Sequence, residues 1–261
     1  MDLVPIDRVG SRRIPGVMLT DSRAAPEGTR TGGSRGNGTE STAHLDPRVI
    51  VAPGPKVRGS LARHREFYLK PPSSLVAPGD TVPYTPALGT LSYRGQLGIL
   101  LRPTERHTPA DRILDHVEAV VLAAEVVSID RLKVGWEGTM WHVRYGEGGA
   151  FDGSCPVGPV LARIRADEMD GLQLDDGREP VPADVGAIAE FLAYVSHWLT
   201  LGPNILVLAG SRHGPKLDLD GRDPRVLFEP PEPRVGPGGR IRTDGGVLGQ
   251  IDVPITDREV N

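Results

Sequence analysis

The sequence of 261 residues contains little cysteine and few aromatic residues. Cys155 is the only cysteine, which excludes an intrachain disulfide and favours a reducing compartment. Aromatic residues make up 5% of the chain, whereas glycine and proline are abundant, with 33 and 25 residues. A composition so rich in turn-forming residues predicts many short strands joined by tight turns rather than a bundle of helices.

Long hydrophobic runs and a strong net charge are also missing. No apolar run approaches the roughly 20 residues that a helix needs to span a bilayer, so we expect no membrane partner. The N-terminal residues lack the charged and then apolar pattern of a secretory signal, which favours a cytoplasmic location. A formal net charge of −4 gives no reason to expect a nucleic acid as partner.

Composition divides the chain into three segments. Residues 1–21 alternate polar and apolar side chains and are expected to form a short β-hairpin. Residues 22–45 are rich in Gly, Ser and Arg, which predicts a flexible linker. Residues 46–261 are expected to form the folded domain.

Hydrophobic periodicity predicts buried strands and a few helices in that domain. Thr108 followed by Pro109 is typical of a helix N-terminus, and a second helix is predicted over residues 185–199. An apolar run over residues 120–127, broken only by Glu125, and another over residues 205–210 predict central buried strands.

Two blocks of this sequence resemble signatures of the fumarylacetoacetate hydrolase (FAH) superfamily. Residues 151–159, FDGSCPVGP, resemble the pattern FDxxCPxGP, and residues 69–75, LKPPSSL, precede a PGD triplet as they do in the family. The similarity extends over roughly residues 48–254. It implies a mainly β fold of the α+β class with few helices, a mixed β-sandwich or β-roll that commonly assembles as a homodimer.

The same resemblance indicates where the family's metal ligands would fall. Family members bind Mg²⁺ or Mn²⁺ through two glutamates on one strand and an aspartate on a later strand. The corresponding residues here are Arg94, Gln96 and Glu125. One carboxylate beside a guanidinium does not replace an anionic oxygen-only ligand set, so we predict no metal and no other cofactor.

Other family positions differ as well. The lysine that precedes the FD signature falls at Gly149, and the lid that carries the family's catalytic histidine and glutamate is replaced by residues 55–60. His64 and Glu66 follow this segment at a different spacing. We therefore do not assign the catalytic pair to them.

Arg94 and Glu125 have two interpretations of equal weight. A buried arginine–carboxylate pair can be bidentate, and Arg94 could polarise a carbonyl or enolate oxygen in place of the metal. Gln96 would add a hydrogen bond, and Glu125 would suit a general acid or base. Alternatively, the pair only fills a former metal site. Candidate substrate-binding residues are Lys70, Tyr84, Asp152 and Ser211, although Lys70 could equally lie at the surface and Asp152 could fix a loop.

Three functions follow from this interpretation. Family chemistry proceeds through enolates of β-dicarbonyl or 2-keto acids, so the first is a metal-independent isomerase, lyase or cyclase. Its small-molecule substrate would be enolisable or polyketide-like. The second is a non-catalytic FAH-fold protein. The third is a conventional metal-dependent C–C hydrolase or decarboxylase, which requires other acids such as Glu118 or Asp130 to converge with Glu125.

Overall fold

The computed structural model describes most of the domain and parts of the N-terminal segment. The described residues are 1–10, 12–13, 43–54, 56–58, 66–132, 146–175, 181–211, 214–218, 226–229 and 233–257. Residues 22–42 of the expected linker, residues 55, 59 and 60 of the replaced lid, and His64 lie outside them. The last three residues of the expected linker, Ala43–Leu45, form a strand that runs parallel to the N-terminal strand.

Strands dominate the described residues, and they are numbered here in chain order. They are β1 (Asp2–Val9), β2 (Arg12–Arg13), β3 (Ala43–Leu45), β4 (Val49–Pro53), β5 (Lys56–Arg58), β6 (Phe67–Lys70), β7 (Leu75–Val76), β8 (Val82–Tyr84), β9 (Leu91–Leu101), β10 (Val117–Ser128), β11 (Cys155–Arg163), β12 (Gln173–Leu174), β13 (Val181–Pro182), β14 (Ile205–Ala209), β15 (Gly214–Asp218), β16 (Val226–Glu229), β17 (Arg234–Val235), β18 (Arg240–Asp244) and β19 (Gln250–Asp257). Two α-helices are numbered in the same way, α1 (Ala110–Ile113) and α2 (Val185–Ser196).

Within the described residues, eleven strands form one large sheet. Its central path runs β2-β1-β11-β10-β9-β14-β4-β6, with β3, β7 and β17 paired at its sides. Smaller sheets contain β12-β13, β16-β15-β5 and β18-β19-β8. The structure therefore confirms the predicted mainly β fold with few helices. Strands β1 and β2 form an antiparallel pair at the N-terminus, and β1 also pairs with β11.

The central strands separate two hydrophobic cores. On β10, even-numbered residues from 120 to 126 pack into the larger core, and odd-numbered residues from 119 to 123 pack into the second core. Side chains alternate between the two faces of a strand, so Glu125 belongs to the face of the second core. Arg94 and Gln96 lie on the same face, because β9 directs residues 97, 99 and 101 into the larger core.

The helices differ from the sequence prediction at their ends. Helix α1 has Pro109 as its N-cap, whereas the hydroxyl of Thr108 donates to the Glu105 carbonyl (2.7 Å) and closes the preceding turn. The predicted N-cap at Thr108 is therefore wrong. Helix α2 begins at Val185 as predicted but ends at Ser196, three residues early, with a tighter final turn. Among the described helices, none has the length and apolarity to cross a membrane.

Candidate active site

Arg94 and Glu125 are brought together by strand register. Arg94 of β9 lies directly opposite Glu125 of β10, and Gln96 lies opposite Ala123, the next β10 residue on the same face. Directly opposed residues of antiparallel strands have Cβ atoms about 4.5–5.5 Å apart. The pairing of the two central strands is therefore sufficient to place all three polar side chains in one cluster.

Glu125 is the centre of this cluster. Its Oε2 atom lies 2.6 Å from Arg94 Nε and 2.5 Å from Arg94 Nη2, and it accepts a hydrogen bond from Gln96 Nε2 at 3.0 Å. Its Oε1 atom accepts a hydrogen bond from the Tyr68 hydroxyl at 2.7 Å. The Tyr68 hydroxyl bonds Oε1, and both guanidinium nitrogens contact Oε2. The ion pair therefore does not have one nitrogen on each carboxylate oxygen. We call Tyr68, Arg94, Gln96 and Glu125 the Glu125 cluster.

Main-chain atoms of two neighbouring segments support the cluster. Arg94 Nη2 donates to the Pro53 carbonyl at the end of β4 (3.3 Å). The Ser211 amide, just after β14, donates to Gln96 Oε1 at 3.1 Å. Ser211, predicted to bind substrate, therefore joins the site through its backbone, where it orients the amide of Gln96 toward Glu125.

Lys70 lies in the interior beside the cluster, so the alternative that it sits at the surface is wrong. Its side chain is fully buried, and Nζ donates to the carbonyls of Gly149, Ser154 (3.0 Å) and Val126 (3.4 Å) and to the Ser154 hydroxyl (3.0 Å). Burial lowers the pKa of Lys70 to about 8, and the carboxylate of Glu125 partly opposes that shift. The amine is thus held by main-chain oxygens of β10 and of residues 149–154 and by one hydroxyl.

The buried charge around the cluster is positive. Lys70, Arg94 and Glu125 are the charged side chains that are buried among the described residues, two cations against one anion. Fixed positive charge in a water-poor interior stabilises negative charge that develops on a nearby oxygen. The arrangement therefore suits an enolate or a carboxylate better than a cationic ligand.

Tyr84 and Asp152 lie elsewhere in the structure. Tyr84 on β8 is buried in the larger core. Asp152 is exposed and lines a separate cavity of about 950 Å³, with Arg8, His44 and Asp80 also in its wall. The structure thus collects Lys70 and Ser211 at the Glu125 cluster and leaves the other two candidate substrate-binding residues outside it.

The two acids required by the metal-dependent alternative are not brought to Glu125. Glu118 is exposed seven residues away on the same strand, roughly 23 Å at 3.3 Å per residue. Asp130 accepts a hydrogen bond from the Thr90 amide at 2.7 Å. Among the described residues, no group of three His, Cys, Asp or Glu side chains could hold a metal ion.

The side chains of the Glu125 cluster do not fit a hard divalent cation. Mg²⁺ and Mn²⁺ are bound mainly by carboxylate, carbonyl and water oxygens. Here Glu125 Oε2 already contacts a guanidinium and an amide donor, and Arg94 adds a positive charge.

Tyr68 is the member of the cluster that sequence reasoning missed. It follows Phe67 at the start of β6 and lies two residues before Lys70. Alternation along a strand places Tyr68 and Lys70 on the same face. Once Lys70 was assigned to the site, this spacing was the signal that could have identified Tyr68.

Comparison with known proteins identifies the family. The sequence pattern of the family described as "Fumarylacetoacetate (FAA) hydrolase C-terminal" matches residues 51–256. The chain belongs to this family. The FAH relative 2,4-didehydro-3-deoxy-L-rhamnonate hydrolase from a Sphingomonas species is 26% identical over 174 residues. That alignment covers 62% of this chain and 56% of the relative, so it spans little more than half of the relative's length.

Two mycobacterial isomerases of known structure share the FAH fold of this chain. The 2-hydroxyhepta-2,4-diene-1,7-dioate isomerase from Mycobacterium marinum is 19% identical, with a TM-score of 0.59 over 82% of this chain and 76% of that one. The 5-carboxymethyl-2-hydroxymuconate delta-isomerase from Mycobacterium smegmatis is 17% identical, with a TM-score of 0.61 over 81% and 78%. At these identities the likeness shows the fold alone.

Proposed function

We propose that this FAH-family chain is a metal-independent isomerase, lyase or cyclase that acts on an enolisable or polyketide-like small molecule. Arg94 supplies the positive charge that a metal supplies elsewhere in the family, and Gln96 and Glu125 complete the site. The observation that carries this proposal is the fixed guanidinium of Arg94, aligned by Glu125 Oε2 in a buried and net positive environment.

The fold neighbours support the isomerase class within this proposal. Two of them are described as isomerases of hydroxylated dienoic acids, whose products differ from their substrates only in the positions of a proton and of double bonds. Such a rearrangement needs an orienting site and a group that stabilises negative oxygen, but it needs no activated water. A cluster of hydrogen-bond donors around one carboxylate meets that requirement.

The test uses 2-hydroxyhepta-2,4-diene-1,7-dioate as the probe. Loss of its dienol absorbance is followed with purified full-length protein in excess EDTA, and then with added Mg²⁺ or Mn²⁺. We expect turnover in EDTA that neither metal changes, and elemental analysis that finds no stoichiometric metal. Turnover that EDTA abolishes and Mg²⁺ restores would instead support the conventional metal-dependent enzyme.

A second candidate function is favoured by one observation. The charged groups of Arg94 and Glu125 bond to each other, and their side chains are only 5% and 1% exposed, as expected for a non-catalytic protein that has filled its own pocket. Under this alternative, Arg94→Met lowers stability but there is no activity to lose. Solution mass from light scattering would test the homodimer that the family resemblance implies for either function.

A further inference from the structure

The Glu125 cluster has a buried side and a partly exposed side. Arg94, Gln96 and Glu125 are buried, whereas Tyr68 is only partly buried. Glu125 Oε2 is surrounded by the donors of Arg94 and Gln96, and Oε1 accepts from the Tyr68 hydroxyl. Of the four side chains in the cluster, Tyr68 is therefore the one that is in part open to an approaching group.

The position of the Tyr68 hydroxyl depends on Gly149. A Cβ atom added at residue 149 would lie 2.7 Å from Tyr68 Cε2 and 2.8 Å from both Cζ and the hydroxyl oxygen. Any side chain at 149 would thus displace the phenol from its place beside Glu125. Lys70 restrains the same region, because Nζ donates to the Gly149 carbonyl and lies 5.5 Å from the centre of the Tyr68 ring.

We propose that Tyr68 is a catalytic residue that passes a proton between the substrate and Glu125; this inference rests on the proposed function. A phenol can donate one hydrogen bond and accept another, so it can connect an enol to the carboxylate. The substrate O–H gives its proton to the Tyr68 oxygen while the Tyr68 proton moves to Glu125 Oε1. The bonding electrons stay on the substrate oxygen as an enolate.

The return step completes the isomerisation without gain or loss of atoms. Tyr68 delivers a proton to a carbon of the enolate and recovers one from Glu125. The π electrons of the carbon–carbon double bond form the new C–H bond, and the oxygen lone pair forms the carbonyl. The cations Arg94 and Lys70 stabilise the negative charge while it is on the substrate oxygen.

Tyr68→Phe and Gly149→Ala test this role in two independent ways. The first removes the hydroxyl, and the second keeps it but displaces it. Gly146→Ala is the matched control, because a Cβ at residue 146 meets no atom within 4 Å in the same short segment. With the dienol probe in EDTA, both test variants should lose roughly 100-fold or more in kcat, the low end of acid–base effects, with KM changed less than about threefold.

The rate at which solvent deuterium enters the product carbon should fall in parallel with kcat. Thermal unfolding of each variant checks that it is folded. Wild-type turnover with full activity in folded Tyr68→Phe would overturn the role of Tyr68 and leave the proposed function intact. A uniform rise in KM with kcat retained would also overturn it, since that result indicates ligand binding alone.

If wild-type protein does not convert the probe, the proposed function fails and the catalytic role of Tyr68 fails with it. Failure of the Tyr68 role alone is distinguishable, because wild-type turnover then remains and folded Tyr68→Phe shares it.

Discussion

An arginine directly opposite an acidic residue occurs in two antiparallel strand pairs of this molecule. Arg94 of β9 lies directly opposite Glu125 of β10, and Arg242 of β18 lies directly opposite Asp252 of β19. The first pair is almost fully buried, with side chains 5% and 1% exposed. The second is open to water, with side chains 66% and 49% exposed.

The difference shows that strand register brings the two charges together, whereas burial determines how much protein stability depends on the pair. Water screens the charges of Arg242 and Asp252, and such surface pairs contribute little to stability. Arg94 and Glu125 have lost their hydration, so each depends on its partner and on the hydrogen bonds from Gln96 and Tyr68.

The largest effect is expected for Arg94→Met. The change leaves the Glu125 carboxylate buried without its cation, which should lower the free energy of unfolding by about 3–5 kcal/mol. Under the proposed function it should also reduce turnover of the dienol probe by about 100-fold or more. Urea unfolding and the absorbance assay measure the two effects.

Glu125→Gln in the Arg94→Met background provides the control for that prediction. The amide keeps an acceptor for Tyr68 but removes the orphaned charge, so the double variant should regain most of the lost stability without regaining activity. A double variant no more stable than the single one would show that the cost comes from lost packing instead.

A smaller and pH-dependent effect is expected from Lys70. Burial lowers its pKa in the folded protein from 10.5 to about 8. Below pH 8 the amine is charged in both the folded and the unfolded protein, so the free-energy cost of burying the charge is fully present. Between pH 8 and 10.5 the unfolded chain binds more protons, so this contribution to stability rises with pH by a total of about 3 kcal/mol.

The contribution of Lys70 must be separated from that of Cys155. Burial raises the pKa of the Cys155 thiol from 9.0 to about 12, so the thiol lowers stability as the pH rises from 9 to 12. The two groups therefore act in opposite directions, and the informative quantity is the stability of wild type minus that of Lys70→Met at each pH. A difference that does not change between pH 7.5 and 10 would contradict the prediction.

The smallest effect is expected for Arg242→Met in the exposed pair. Asp252 also accepts from Arg240 and remains hydrated, so the midpoint of urea unfolding should not move beyond experimental scatter. The comparison with Arg94→Met uses the same substitution in the same type of strand pair. A loss as large as that of Arg94→Met would show that burial is not what separates the two regions.

Sequence patterns predicted the fold better than they predicted the site. The blocks at residues 69–75 and 151–159 are local and specific, so they identified the family and with it the mainly β architecture. The apolar run at residues 120–127 likewise predicted the centre of β10, because a strand buried on both faces needs such a run.

Contacts between distant strands could not be predicted in the same way. The hydrogen bond from Tyr68 to Glu125 joins residues 57 positions apart in sequence. In the sheet, strands β4, β14 and β9 lie between β6, which carries Tyr68, and β10, which carries Glu125. The contact therefore follows from the assembled sheet and not from a local pattern. The position of Lys70 likewise depends on contacts with residues far away in sequence. The error at Thr108 had a different cause, because its hydroxyl found a carbonyl in the preceding turn instead of an amide of the helix.

The buried amine of Lys70 also constrains the order in which the chain folds. Three of its four acceptors belong to Gly149 and Ser154, which are 79 and 84 residues away in sequence, so a long segment of chain must close before these hydrogen bonds form. Any intermediate that buries β6 earlier would hold an ammonium group that lacks most of its hydrogen bonds. We expect the two family signature blocks to become structured together, late and slowly, as is common for strands with distant contacts.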